Sequence, residues 1–374
     1  MSHFVSIWGN AMSIGENRPE SYGKNITFCY PVHVPFSGDA FRITYDNYCG
    51  TEEITISRTV AKARDTFIPV YFSGKETVTI PAGEQVVSDM TASDIKPGED
   101  LEIRFYLETY TQLRSCVYAS GIFSDQAKYA IGDQTMAADI SIDQSRPTHY
   151  FYFLSNVSLH TADENRTIVC YGDSITAQDW PDDLADRCQK EGYSHTAIIR
   201  KATSGSRILR EYNCITYESY GLMGEKRFAH EVPADGADTV IIQQGINDII
   251  HPVGVDVNPF RPMSDLPSAE ELIQGLKRYI ELARSYQYKV YAGTLLPIEG
   301  WRTYAPFREE LKNTYNEWIR QTSLIDGCID FDLAIRDVRN PKAFAPGFDS
   351  GDHLHPSKAG YFRMAQAVPE TILF

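Results

Sequence analysis

No apolar run in this chain comes near the roughly 20 residues that cross a bilayer as a helix, so a spanning helix is excluded from the start. Positive charge is in deficit. The 35 Lys and Arg face 50 Asp and Glu, a net charge of -15. Phosphate backbones and anionic membrane surfaces both reward clustered cations, so neither nucleic acid nor a membrane is expected as partner. Cysteine is sparse and unpatterned, with seven residues and no Cys-x-x-Cys pair. An odd, scattered set excludes a small disulfide framework and suits a reducing cytoplasm. No His, Cys and Asp cluster has metal-ligand spacing, so no metal and no other cofactor is expected. The segment Met1-Ser2-His3-Phe4-Val5-Ser6-Ile7-Trp8 has no basic stretch leading into a long apolar core. A cytoplasmic chain without a secretory signal is therefore expected.

What is present is an ordinary globular composition, 43% hydrophobic and 23% charged, over 374 residues, a comfortable length for two domains. The pattern changes near residue 160. Before it, short runs alternate apolar and polar side chains, as in Phe41-Arg42-Ile43-Thr44-Tyr45 and Leu101-Glu102-Ile103-Arg104-Phe105-Tyr106. Turn signals such as Pro81-Ala82-Gly83 and Lys96-Pro97-Gly98 separate them. This period-two pattern predicts an all-β sandwich, of jelly-roll type, over residues 1–160.

Residues 161–374 instead alternate strand and helix. Buried strands are predicted at 167–171, 197–200, 239–243, 289–293 and 328–332. Ser268-Ala269-Glu270-Glu271 reads as a capping box ahead of a helix whose apolar face is Leu272, Leu276, Tyr279, Ile280 and Ala283. A helix is also predicted from Pro306 to Thr322. Pro356 suits the first turn of a last helix, with Tyr361, Met364, Ala365 and Val368 on its face. Such alternation predicts an α/β domain with a parallel sheet covered on both sides, its site at the C-terminal strand ends.

Three loops that follow predicted strands carry small or polar groups: Gly172-Asp173-Ser174-Ile175, Ser204-Gly205-Ser206-Arg207 and Gly245-Ile246-Asn247-Asp248. Near the C-terminus stands Asp352-His353-Leu354-His355-Pro356. A serine hydroxyl is a poor nucleophile until an imidazole, oriented by a third group, accepts its proton. Ser174, His355 and Asp352 fit those roles. His353 and Asp349 are the competitors, and His355 is preferred because Pro356 would start a helix there and fix its position. The N–H groups of Ser174 and Gly205 and the side-chain amide of Asn247 are candidate oxyanion donors. Asp173 and Asp248 are expected to brace their loops through backbone N–H groups. Trp180, Arg207, His251 and Trp301 are candidate pocket residues, each equally readable as packing or an ordinary ion pair.

These four blocks, in this order, resemble those of the SGNH/GDSL hydrolase superfamily. The resemblance implies a flavodoxin-like three-layer α/β/α fold, metal-independent ester hydrolysis, and the serine, histidine, aspartate and oxyanion roles named above. Ser6-Ile7-Trp8-Gly9, Gly50-Thr51-Glu52 and Tyr152-Phe153-Leu154 further resemble bacterial GDSL-type esterases with a preceding β-domain. Two departures reshape the pocket rim: Arg200-Lys201-Ala202 stands where the glycine block usually carries an earlier Asn and Gly, and Trp180-Pro181 follows Ser174 closely. The α/β-hydrolase elbow Gly-x-Ser-x-Gly does not fit, because position 176 is Thr.

Net acidity and the absence of an apolar lid favour a small polar substrate. A short acyl ester, acetyl first, on a carbohydrate is the leading expectation. The rival enzyme is a lysophospholipase or thioesterase acting on lipid acyl groups. The rival from another class is a carbohydrate-binding protein whose hydrolase domain is inert.

Overall fold

The computed structural model describes residues 2–15, 21–99 and 101–374. The chain forms two compact units. One is Met1–Thr167 with Cys188–Arg200 and Ala234–Gly236; the other is Ile168–Arg187, Lys201–Pro233 and Ala237–Phe374.

The first unit is an antiparallel β-structure. In one sheet Ser2–Gly9 pairs with Leu154–Ala162, which pairs with Gly38–Asp46, and this last also takes Gln85–Val87 and Thr91–Ile95. The other sheet runs Ser145–Pro147, Lys128–Ile131, Ile26–Val32, Leu101–Leu107, Arg58–Ala63, Thr66–Val70. The alternation seen in the sequence has its physical meaning in Leu101–Leu107. Ile103, Phe105 and Leu107 are fully buried in a core shared with Phe41, Ile43 and Tyr45 of the opposite sheet. The Tyr45 ring meets Phe105 edge-on at 5.3 Å, and its hydroxyl lies 3.0 Å from Thr59 Oγ1. The short segment 234–236 is sewn in by Asp235. Its carboxylate accepts from Arg42 and Ser158, both at 2.7 Å, and its carbonyl accepts from Ser6 N–H.

A five-stranded sheet is made of β1 (Arg166–Gly172), β2 (Thr196–Ala202), β3 (Ala237–Gln243), β4 (Lys289–Gly293) and β5 (Gly327–Ile329). Their order is β2-β1-β3-β4-β5, and β3, β4 and β5 run parallel. The helices are α1 (Trp180–Glu191), α2 (Gly224–Glu231), α3 (Ile246–Ile250), α4 (Ala269–Ser285), α5 (Pro306–Gln321), α6 (Phe331–Ile335) and α7 (Lys358–Ala367). This is the flavodoxin-like order, in which the chain reverses direction across the sheet between β1 and β3. The crevice at that reversal is where open α/β sheets bind ligands.

Local sequence explains most of the boundaries. Ser268 Oγ accepts from Glu271 N–H at 3.2 Å while the Glu271 carboxylate accepts from Ser268 N–H at 2.8 Å, so the capping box at the start of α4 is complete. Two ends differ from expectation. The strand expected over 328–332 stops at Ile329, because Asp330 caps α6 by accepting from Leu333 N–H. Pro356 lies outside the last helix. Ser357 is the N-cap of α7, accepting from Gly360 N–H, and Pro356 instead bridges back to Asp349.

Among the described residues no helix is long and apolar enough to cross a membrane, and no cluster of His, Cys, Asp and Glu could hold a metal ion. Loss of the α4 cap gives a direct test of the local reading. Ser268→Ala should cost about 1 kcal/mol, the usual value of an N-cap serine, read as a lowered urea midpoint. An unchanged midpoint would show that the cap contributes nothing.

Candidate active site

Ser174 follows β1 at the reversal of the sheet, and Asn247 leaves β3 on the first turn of α3. Ser174 Oγ and His355 Nε2 are 2.8 Å apart. On the far side of the ring, His355 Nδ1 is 2.6 Å from Asp352 Oδ2. Asp352 Oδ1 also accepts from the backbone N–H groups of His355 (2.8 Å) and Leu354 (2.9 Å) and from Ser350 Oγ (3.1 Å). Burial opposes ionisation of Asp352. The imidazole and the two backbone donors outweigh it and hold the carboxyl well below the usual carboxylate range. The arrangement fixes both ring nitrogens: Nδ1–H points at the carboxylate and Nε2 accepts from the serine. The competing histidine, His353, is paired with Asp349 instead.

The three donors expected at the oxyanion lie just after β1, β2 and β3. Gly205 has φ +77°, and a Cβ there would lie 2.2 Å from the Tyr220 ring, so only glycine fits. Among the described residues the N–H groups of Ser174 and Gly205 donate to no backbone carbonyl. Asn247 gives one amide hydrogen to the Ser206 carbonyl at 3.1 Å, which leaves the second free to point elsewhere.

Asp248 accepts from Ile208 N–H (2.8 Å) and Leu209 N–H (3.0 Å), pinning the glycine loop to α3. Burial raises its carboxyl to about 6, with those two bonds pulling the other way. Asp173 accepts from Ile175 N–H at 3.1 Å, and burial pushes its carboxyl up to about 7. Its second oxygen, Oδ2, has no partner among the described residues, which suits a neutral carboxyl better than a charged one.

Reading the motifs alone misses the layer behind the glycine loop. Ser206 Oγ lies 2.6 Å from both Arg227 Nη1 and Gln244 Nε2. Arg227 is fully buried against Glu231 at 2.8 Å, and Tyr279 hydroxyl donates to Gln244 Oε1 at 2.8 Å. The i,i+4 spacing of Arg227 and Glu231 on α2 was the one available signal. That pattern usually marks an exposed pair, so it did not point inward.

The candidate pocket residues divide. The Trp180 side chain is wholly buried and packs on Phe331 with ring centroids 5.4 Å apart. Arg207 is buried too, bonded to Asp265 (3.3 Å) and to the Glu211 carbonyl (3.4 Å), with its guanidinium 4.0 Å above the Tyr212 ring. It does border a cavity of about 480 Å³ shared with Tyr212, Lys226 and Phe260. His251 is buried beside Tyr212 hydroxyl at 3.1 Å. Burial, then Arg261, Arg207 and Arg302, hold its imidazole well below the ordinary histidine range. Trp301 is half-buried under the Arg302 guanidinium at 4.7 Å. Val255, Val257, Phe260 and Met263 are all exposed on one loop that follows α3.

The model of the GDSL-like lipase/acylhydrolase family matches residues 170–363, just over half of the chain. The chain belongs to that family of acylhydrolases and esterases. Among solved structures it is similar to the lipase/acylhydrolase from Enterococcus faecalis, at 22% identity over 56% of this chain and 95% of that one, TM-score 0.39. A GDSL-like lipase from Bacteroides thetaiotaomicron is 19% identical over 56% and 89%, TM-score 0.38. A catalytic mutant of Axe2, an acetylxylan esterase from Geobacillus stearothermophilus, is 18% identical over 54% and 91%, TM-score 0.40. No match is found among curated proteins.

The neutral Asp173 has a consequence for stability. Its folded pKa stands above the unfolded value, so the folded state binds the proton more tightly. Its contribution therefore worsens as pH rises from about 4 to about 7 and is constant above that. Asp173→Asn, neutral at every pH, should melt higher than the wild type at pH 8, with a smaller gain at pH 5. An equal shift at both pH values would show that Asp173 is ionised throughout.

Proposed function

We propose that this protein is a serine esterase that hydrolyses a short acyl ester, acetyl first, on a carbohydrate or other small polar substrate. The observation that carries the reading is the unbroken relay Ser174 Oγ, His355 Nε2, His355 Nδ1, Asp352 Oδ2, with contacts of 2.8 and 2.6 Å. Ser174 attacks the ester carbonyl as His355 takes its proton at Nε2. Asp352 holds the ring in the tautomer that makes Nε2 the acceptor and stabilises the imidazolium that follows. The tetrahedral oxygen takes hydrogen bonds from the N–H groups of Ser174 and Gly205 and from the free amide hydrogen of Asn247. His355 returns the proton to the departing alcohol. Water, deprotonated by the same ring, then clears the acyl-enzyme.

The polar, buried surroundings of Arg207 and the acidic chain support a small polar ester. One observation favours the second reading, a lysophospholipase or thioesterase: the exposed apolar loop with Val255, Val257, Phe260 and Met263 would suit a long acyl chain or its carrier surface.

Hydrolysis of matched acetyl, octanoyl and palmitoyl esters separates the two, since the short-acyl reading requires the highest kcat/KM on acetyl. Ser174→Ala should abolish turnover, and wild-type rates in that variant would remove the serine mechanism altogether. Asn247→Ala should lower kcat by about 10²–10³, the usual loss for an oxyanion donor, with KM little changed. A loss confined to KM would place Asn247 in substrate binding instead.

A further inference from the structure

The loop that bears His355 contains a second carboxylate–imidazole pair that the mechanism above leaves unused. His353 Nδ1 lies 2.6 Å from Asp349 Oδ2. The other oxygen of Asp349 accepts from Gly351 N–H at 2.8 Å and from His353 N–H at 3.0 Å. The loop is closed at its base by Ser350 N–H donating to the His355 carbonyl at 3.0 Å and by the bridge from Asp349 to Pro356. Two aspartates thus each fold a short turn and each hold a histidine. Only one of those histidines reaches Ser174.

The backbone of His353 is where the cost falls. Its φ is +65°, in the left-handed region that glycine occupies freely and a side chain with a Cβ does not. A glycine would make the same turn without strain, so the turn alone does not call for an imidazole. An outlier of this kind persists where its surroundings use it. The ring packs face to backbone on Gly300: a Cβ built on Gly300 would stand 2.6 Å from His353 Cγ.

Gly300 belongs to the segment between β4 and α5, and that segment is tied to the other half of the site. Thr303 Oγ1 donates to the carbonyl of Ile250, the last residue of α3, at 2.9 Å. Asn247 stands on the same short helix. A path therefore runs from the Asp352–His355 loop through the His353 ring to Gly300, along the chain to Thr303, and across to the helix that carries Asn247.

We propose that His353 is a positioning residue: clamped by Asp349, its ring seats the Asp352–His355 loop on Gly300 and so holds the base and the Asn247 amide in one frame. The inference rests on the serine-esterase reading. His353 touches neither the nucleophile nor the reacting carbonyl. It acts through the loop it anchors.

The test is steady-state kinetics on an acetyl ester, with melting temperatures, for His353→Gly, His353→Asn and Ser174→Ala. His353→Gly removes the ring and also the left-handed strain, so its melting temperature should hold or rise. Its kcat should fall about 10- to 100-fold with KM within about twofold, the scale of loss when a catalytic group is misplaced by an ångström or less. Asn tolerates the left-handed region and offers an amide to Asp349, so His353→Asn should recover part of the lost kcat. Wild-type kcat in a folded His353→Gly, or a rise in KM at unchanged kcat, overturns the proposal. If the glycine variant fails to fold, the same two results in His353→Asn overturn it. An active Ser174→Ala overturns the serine reading and this inference with it. An inactive Ser174→Ala beside a fully active His353→Gly overturns this inference alone.

Discussion

The contact on which everything else depends spans 181 positions of chain: Ser174 Oγ and His355 Nε2, 2.8 Å apart. A serine hydroxyl and an imidazole have no strong tendency to meet in water, and an error of an ångström removes the proton acceptor. The fold therefore has to place two loop ends independently. One is set by β1, buried along its length in the sheet. The other is set by a turn in which Asp352 accepts from two backbone N–H groups as well as from the ring. Asp352 thus orients His355 and shapes the loop that presents it.

The glycine loop is held in the same way, by polar groups taken out of water. Asp248 clasps the N–H groups of Ile208 and Leu209, and Ser206 is fixed from behind by Arg227 and Gln244. Burying Arg227 and Glu231 together is costly and is offset by short, mutual hydrogen bonds. What such a layer confers is direction. On the proposed esterase reading, donors aimed before the reaction begins need no rearrangement when negative charge develops on the substrate oxygen.

How much of this was legible beforehand depended on whether a residue's partner lay nearby in sequence. The capping box at Ser268 and Glu271, the apolar faces of α4 and α7, and the alternation through Leu101–Leu107 are local patterns with one physical solution each. The bracing role of Asp173 follows from a short carboxylate beside its own backbone, whereas the partners of Asp248 lie 40 and 39 positions away, at Ile208 and Leu209. Trp180 and Arg207 could be read from sequence either as pocket groups or as packing, because only their neighbours show that one is buried on Phe331 and the other held by Asp265 and Tyr212.

The order of residues along the chain was enough to establish a β-rich first part, an alternating α/β second part, and the four motif blocks whose spacing marks the family. Those are properties of short windows, and hydrophobic period and motif chemistry act within such windows. Which histidine faces the serine, which aromatic side chains are core, where the buried Arg227 points, and why a histidine sits in a glycine conformation against Gly300 were matters of three-dimensional packing. Each depends on groups far apart in the chain competing for one volume, and distance along the backbone carries no information about the winner.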